Sequence, residues 1–116
     1  MDRRIHKRRP ATFQVRVSEV STPELSVSGQ ACDISESGIG IDLPIQFKPG
    51  SVVRLNINDC VLFGFVAHST PERSGFRTGI EVVQVLLGNS DLAQLLKVTL
   101  QEAMPSLHLK DPVQSQ

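Results

Sequence analysis

Residues 53–67 read Val-Arg-Leu-Asn-Ile-Asn-Asp-Cys-Val-Leu-Phe-Gly-Phe-Val-Ala. In the first half, Val53, Leu55 and Ile57 alternate with Arg54 and Asn56, the period-two pattern of a strand with one buried face. Asn58-Asp59 is hairpin-turn chemistry, because both side chains tolerate left-handed backbone. Cys60 to Ala67 is apolar almost throughout and predicts a second strand covered on both faces. One hairpin of this kind cannot bury its own inner face, so the chain on either side must supply more sheet.

It does so at regular spacing. Upstream, Phe13, Val15 and Val17 alternate with Thr12, Gln14, Arg16 and Ser18. Ser21-Thr22-Pro23 is a turn, and Leu25 to Ala31 alternates again. Gly29 lies inside that run, and the apolar parity changes after it to Cys32 and Ile34. This predicts a bulge at Gly29 that turns Asp33 and Ser35 outward together. Glu36-Ser37-Gly38 is a tight corner before the strand of Ile39, Ile41 and Leu43. Pro44 and then Lys48-Pro49-Gly50-Ser51 form a longer connection. Downstream, Ser69 to Gly75 reads as a polar loop. Phe76 to Val83 reads as the last strand, with Ile80 and Val82 inward and Arg77, Gly79 and Glu81 outward. Six short strands joined mostly by short turns predict a closed or nearly closed antiparallel barrel, mainly β in class.

The period then lengthens. Asn89 or Ser90 is suited to cap a helix, and Asp91 suits its first turn. Leu92, Leu95, Leu96, Thr99, Leu100 and Ala103 recur at three- and four-residue steps, which predicts one apolar face able to plug an end of the barrel. Pro105 stops the helix. The organisation expected is a flexible basic arm over 1–11, a barrel with its C-terminal α-helix over 12–104, and a polar, frayed tail over 105–116.

At 116 residues with 40% apolar content, the chain supports one core without disulfide staples. Cys32 and Cys60 are distant in sequence and read as buried free thiols, which suits a reducing cytoplasm. No apolar run approaches the ~20 residues that span a bilayer, and no apolar segment follows the N-terminal charges as a secretory leader requires. The arm reads as a free end.

Five of the 12 basic residues lie in Met1–Arg9: Arg3, Arg4, Lys7, Arg8 and Arg9, opposed only by Asp2. The remainder is net acidic, so the positive charge is local and points to a local anionic partner. Arg4 and Arg8 face the same way on an extended arm, ~13 Å apart at ~3.3 Å per residue. Two guanidinium groups so placed suit two ends of a small anion, or two copies of a repeated unit. Arginine's planar fork matches phosphate oxygens and the O6/N7 edge of guanine. Asp33 and Ser35, two apart on a strand, offer a carboxylate and a hydroxyl on one side. An ionised Asp33 accepts both donors of guanine's Watson–Crick edge. Ser35 adds a bond to base or phosphate, or instead caps its own turn. Gly38 leaves room for a ligand or for an unusual φ. A guanine nucleotide meets these demands.

Arg4-Ile5-His6-Lys7-Arg8 resembles the R-x-x-x-R pattern of PilZ domains, and Asp33-Ile34-Ser35-Glu36-Ser37-Gly38 resembles their D-x-S-x-x-G. The order of the motifs, their spacing, the barrel followed by a helix, and Phe76–Val82 as a last-strand segment are also similar to that family. The resemblance implies a six-stranded PilZ-type barrel and a bacterial, cytoplasmic receptor for cyclic di-GMP, with Arg4, Arg8, Asp33, Ser35 and Gly38 at the ligand. In the family, an arginine immediately before R-x-x-x-R accompanies an intercalated ligand dimer. Arg3 stands there, so two stacked ligands are expected, with Arg9 and Arg77 as further contacts. No cofactor is expected beyond this ligand. The partner implied is an effector protein or a covalently linked domain.

Other classes fit less well. His6, His68 and His108 lack metal-ligand spacing, and neither cysteine supplies it. No P-loop, nucleophile elbow or Cys–His pairing is present, which argues against an enzyme. A nucleic-acid-binding barrel is opposed by zero net charge and by the absence of Trp and Tyr for base stacking. A PilZ-like adaptor acting by protein contact alone has no need of both motifs.

Overall fold

A computed structural model describes residues 9–110, with side chains from Thr12 onward. The strands are β1 (Arg9–Glu19), β2 (Thr22–Ser35), β3 (Gly38–Leu43), β4 (Val52–Ile57), β5 (Cys60–Glu72) and β6 (Gly75–Leu86). Each pairs antiparallel with its neighbours in the order β3-β2-β1-β4-β5-β6, and a β3–β6 pairing closes the circuit. The result is the six-stranded antiparallel barrel expected from the alternation, followed by helix α1 (Asp91–Ala103). The basic arm at 1–8 lies outside the described residues.

The alternating residues fill the interior. Val15, Val17, Ile41, Val53, Leu55, Ile57, Leu62 and Ile80 are all buried. Replacing a fully buried member such as Leu62 by alanine would cost ~2–5 kcal/mol by transfer and cavity formation.

Four expectations are corrected. The bulge lies at Cys32, not Gly29: β2 pairs Gln30, Ala31 and Asp33 with Asp42, Ile41 and Gly40 in succession, leaving Cys32 unopposed. Ala31 and Ile34 therefore both point inward, and Cys32 is half-buried on the outer side, not in the core. Gly29 marks instead a close approach of β3, since a Cβ there would lie 2.6 Å from Leu43 Cδ2. Next, β5 is fully buried on one face only; Val61, Phe63 and Phe65 on the other face are half-buried. A continuous apolar run does not distinguish a covered outer face from a partly open one. Third, the polar segment after Ser69 is not a loop. Thr70, Pro71 and Glu72 pair with Arg77, Phe76 and Gly75, extending the hairpin beyond the core where no buried face leaves a periodic signal. Last, Leu95 is 56% exposed, and the helix face buried is Ala93, Leu96, Leu100 and Ala103. That face follows a 3-4-3 step, which leaves Leu95 one residue's rotation (~100°) away from Leu96.

The helix start is fixed from across the chain. Asn58 adopts a left-handed φ of 56° in the β4–β5 turn, which presents Asp59 outward. One Asp59 carboxylate oxygen accepts from the backbone N–H of Asn89 at 2.7 Å and of Ser90 at 2.9 Å, and the other accepts from the Ser90 hydroxyl at 2.6 Å. Ser90 Oγ in turn accepts from Ala93 N–H at 3.0 Å, the N-cap bond anticipated from the sequence. These bonds hold the Asp59 carboxyl below its ordinary range, the Ser90 hydroxyl contributing most. Ser90→Ala should cost ~1 kcal/mol and lower the thermal midpoint by ~4–8 °C, measured by circular dichroism. A two-residue strand, β7 (Leu109–Lys110), pairs parallel with β6 at Val85 and Leu86, a contact with no periodic signature in sequence.

Candidate functional site

The outer surface of β2, β3, β6 and β5 carries a cleft of about 340 Å³ lined by Asp33, Ser35, Gly38, Gly40, His68, Arg77, Gly79 and Glu81, among others. Strand register explains why these residues meet. Asp33 on β2 pairs with Gly40 on β3, Gly40 with Gly79 on β6, and Gly79 with His68 on β5. The row thus has side chains at its ends and bare backbone in its middle. A Cβ at Gly40 would lie 2.8 Å from Asp33 Oδ1, and one at Gly79 2.7 Å from His68 Cε1. Asp33 leans over one glycine and His68 over the other.

The neighbouring outward row is charged. Asp42 and Arg77 pair across β3 and β6. Arg77 Nε donates to Asp42 Oδ1 at 2.7 Å, and its Nη1 stands 3.9 Å from Asp33 Oδ2. The Cys32 thiol, turned out by the bulge, donates to Asp42 Oδ2 at 3.1 Å. The Arg77 bond and then the thiol hold the Asp42 carboxyl below the usual carboxylate range. Burial, followed by the Asp42 hydrogen bond, pushes the Cys32 thiol up, so at neutral pH it is a donor and not a nucleophile. A carboxyl whose folded pKa is depressed contributes stability that is present above the unfolded value near 3.9 and is lost as pH falls through the folded value. Half the Asp42 side chain is exposed, so the expected contribution is below ~1 kcal/mol. The stability difference between wild type and Asp42→Asn should be largest at neutral pH and shrink below about pH 4, read from urea midpoints across that range.

Of the sequence-predicted site residues, Asp33, Ser35, Gly38 and Arg77 come together in this cleft. Ser35 is buried although it lines the cleft. Its Oγ accepts from Ser37 N–H at 3.3 Å and lies 2.9 Å from Ser37 Oγ, so its hydroxyl also shapes the corner. Gly38 has φ 140° and sits against the Ile80 carbonyl. Arg3, Arg4 and Arg8 lie outside the described residues. Arg9 begins β1, where its backbone pairs with Ile34, and Pro10 pairs with Asp33. A second groove of about 490 Å³, between the Glu36–Gly38 corner, Glu81, Val82 and Met104–Leu107, adjoins the cleft. His68, Gly40 and Asp42 were not read as site residues from the sequence. Only cross-strand register brings them there, and the one local hint was the outward parity of Gly79.

A closed barrel with a glycine-floored cleft edged by paired charges defines a small β-barrel binding module. The chain belongs to the PilZ domain family: the family model matches residues 2–101, and PilZ domains form a family of cyclic di-GMP receptors. No curated protein matches the chain. Among the described residues, no helix is long and apolar enough to cross a membrane.

Proposed function

We propose that this protein is a bacterial, cytoplasmic cyclic di-GMP receptor that closes its N-terminal arm over the barrel on binding ligand. It then signals to an effector protein or a covalently linked domain. The observation that carries the reading is the register of β1 on β2, with Arg9 opposite Ile34 and Pro10 opposite Asp33. Because β1 begins beside the strand end that bears Asp33 and Ser35, this register supports an arm whose Arg3, Arg4 and Arg8 act at that end. It favours reading the two motifs, with 24 residues between Arg8 and Asp33, as two sides of one site.

Charge supports the same reading. The described cleft sets Asp33 and Glu81 against Arg77, too little positive charge for a ligand with two phosphates. The arm supplies the rest. Arg4 and Arg8 grip guanine bases and phosphates, Asp33 accepts the donor pair of a guanine edge, and Gly38 leaves the corner open beside Ser35. Arg3, with Arg9 and Arg77 as flanking cations, favours an intercalated pair of ligands. The free energy comes from charge-assisted bonds and stacking, offset by ordering the arm at ~1–2 kcal/mol per residue. The protein binds its ligand and performs no reaction on it.

The test is calorimetric titration of cyclic di-GMP, GTP and a short RNA into the wild-type chain. Cyclic di-GMP should bind at micromolar concentration or tighter, more weakly as salt rises, with two ligands per chain. One ligand per chain refutes the stacked pair. Absence of cyclic di-GMP binding, or RNA binding that survives Asp33→Ala, refutes the receptor.

A further inference from the structure

We infer that His68 is a ligand-contacting residue, the ring against which a guanine base stacks on the β5 side of the cleft; this rests on the receptor reading above. The cross-strand row Asp33–Gly40–Gly79–His68 spans four strands, so the two end residues stand about 14 Å apart at ~4.8 Å per strand. Both side chains reach inward over the glycines between them. Asp33 offers acceptors and reads a base by its edge. His68 offers a flat ring that is seated on Gly79 and otherwise exposed.

Composition narrows the choice. The chain has no Trp and no Tyr, and among the described residues lining the cleft His68 is the sole aromatic ring. Phe13 and Phe47 are in the core. Phe63, Phe65 and Phe76 do not line the cleft, so among the described residues its lining offers a purine no other aromatic face. Gly79 has a definite part in this arrangement, because a Cβ there would meet His68 Cε1 at 2.7 Å and Cδ2 at 3.0 Å and lift the ring off the sheet. The bare backbone thus sets the height of the stacking surface.

The experiment is cyclic di-GMP titration into the full chain carrying His68→Ala, His68→Phe or Asp33→Ala, beside the wild type, with thermal midpoints recorded for each. His68→Ala should weaken binding roughly tenfold, the loss expected for one base–aromatic stack, with its midpoint unchanged because the side chain is exposed. His68→Phe should stay within roughly threefold of wild type, since stacking needs a ring and not its nitrogens. Wild-type affinity in His68→Ala overturns the inference and leaves the ring as a cover for Gly79. Equal weakness in His68→Phe and His68→Ala also overturns it. If wild type binds and Asp33→Ala does not, while His68→Ala binds normally, the stacking role alone fails. If wild type does not bind, the receptor reading fails and His68 with it.

Discussion

Asp33→Ala is expected to lower affinity for cyclic di-GMP at least ~30-fold, a loss of ~2 kcal/mol or more, while leaving the thermal midpoint nearly unchanged. The size follows from what the carboxylate does in the proposed complex. It is the acceptor in the cleft matched to two parallel donors of a guanine edge, and a donor pair left facing nothing costs its desolvation as well as its bonds. The fold should tolerate the change, because Asp33 is an outward residue whose backbone pairs with Pro10 and Gly40 regardless of its side chain. The 2.7 Å bond from Arg77 to Asp42 does not involve the Asp33 side chain. Asp33→Asn should fall between the two, since an amide offers one acceptor where the carboxylate offers two. Calorimetry on the three proteins checks the order; equal affinity in wild type and Asp33→Ala would remove Asp33 from the site.

The second large effect is on the fold. Gly38→Ala should destabilise the protein by ~3 kcal/mol or more, from left-handed strain and steric overlap together. Its φ is 140°, where L side chains are strained, and the added Cβ would run into the Ile80 carbonyl and lie 3.3 Å from Glu81 Cα. Those are backbone atoms of a core strand and have no rotamer by which to yield. Gly50→Ala separates the two causes. Gly50 has φ 92°, and a methyl group added there would meet nothing within 4 Å, so strain alone should cost ~1 kcal/mol. Urea unfolding of both variants measures the difference. Because Gly38 also lines the cleft, its replacement should impair ligand binding in any protein that remains folded.

Much of the barrel was legible because its strands alternate around a single core. Val53, Leu55 and Ile57 announce a half-buried strand in five residues, and the structure buries all three. The reading failed where burial and periodicity part company. Cys32 broke the alternation by bulging, and the sequence shows only that parity changes somewhere between Val27 and Ile34. Thr70 to Glu72 form strand without a buried face. Leu95 fits a helical apolar stripe yet lies outside the contact, because the angular width of that contact is set by the barrel and not by the helix. Leu109 and Lys110 pair with β6 through backbone groups, which leave no mark on side-chain pattern.

The candidate site divides the same way. The basic arm, Asp33, Ser35 and Gly38 are chemical signals that sequence alone carries: clustered charge, a carboxylate and hydroxyl at strand spacing, and a glycine at a corner. Asp42 and His68 carry no such signal. They acquire their places because β3 and β5 are joined through β6, which sets Asp42 beside Arg77 and His68 across two glycines from Asp33. Sequence by itself determined the elements, their inward faces and the residue types offered to a ligand, since these follow from local periodicity and side-chain chemistry. Tertiary structure alone decided which outward residues are neighbours, because barrel closure and register are set by the packing of all six strands at once.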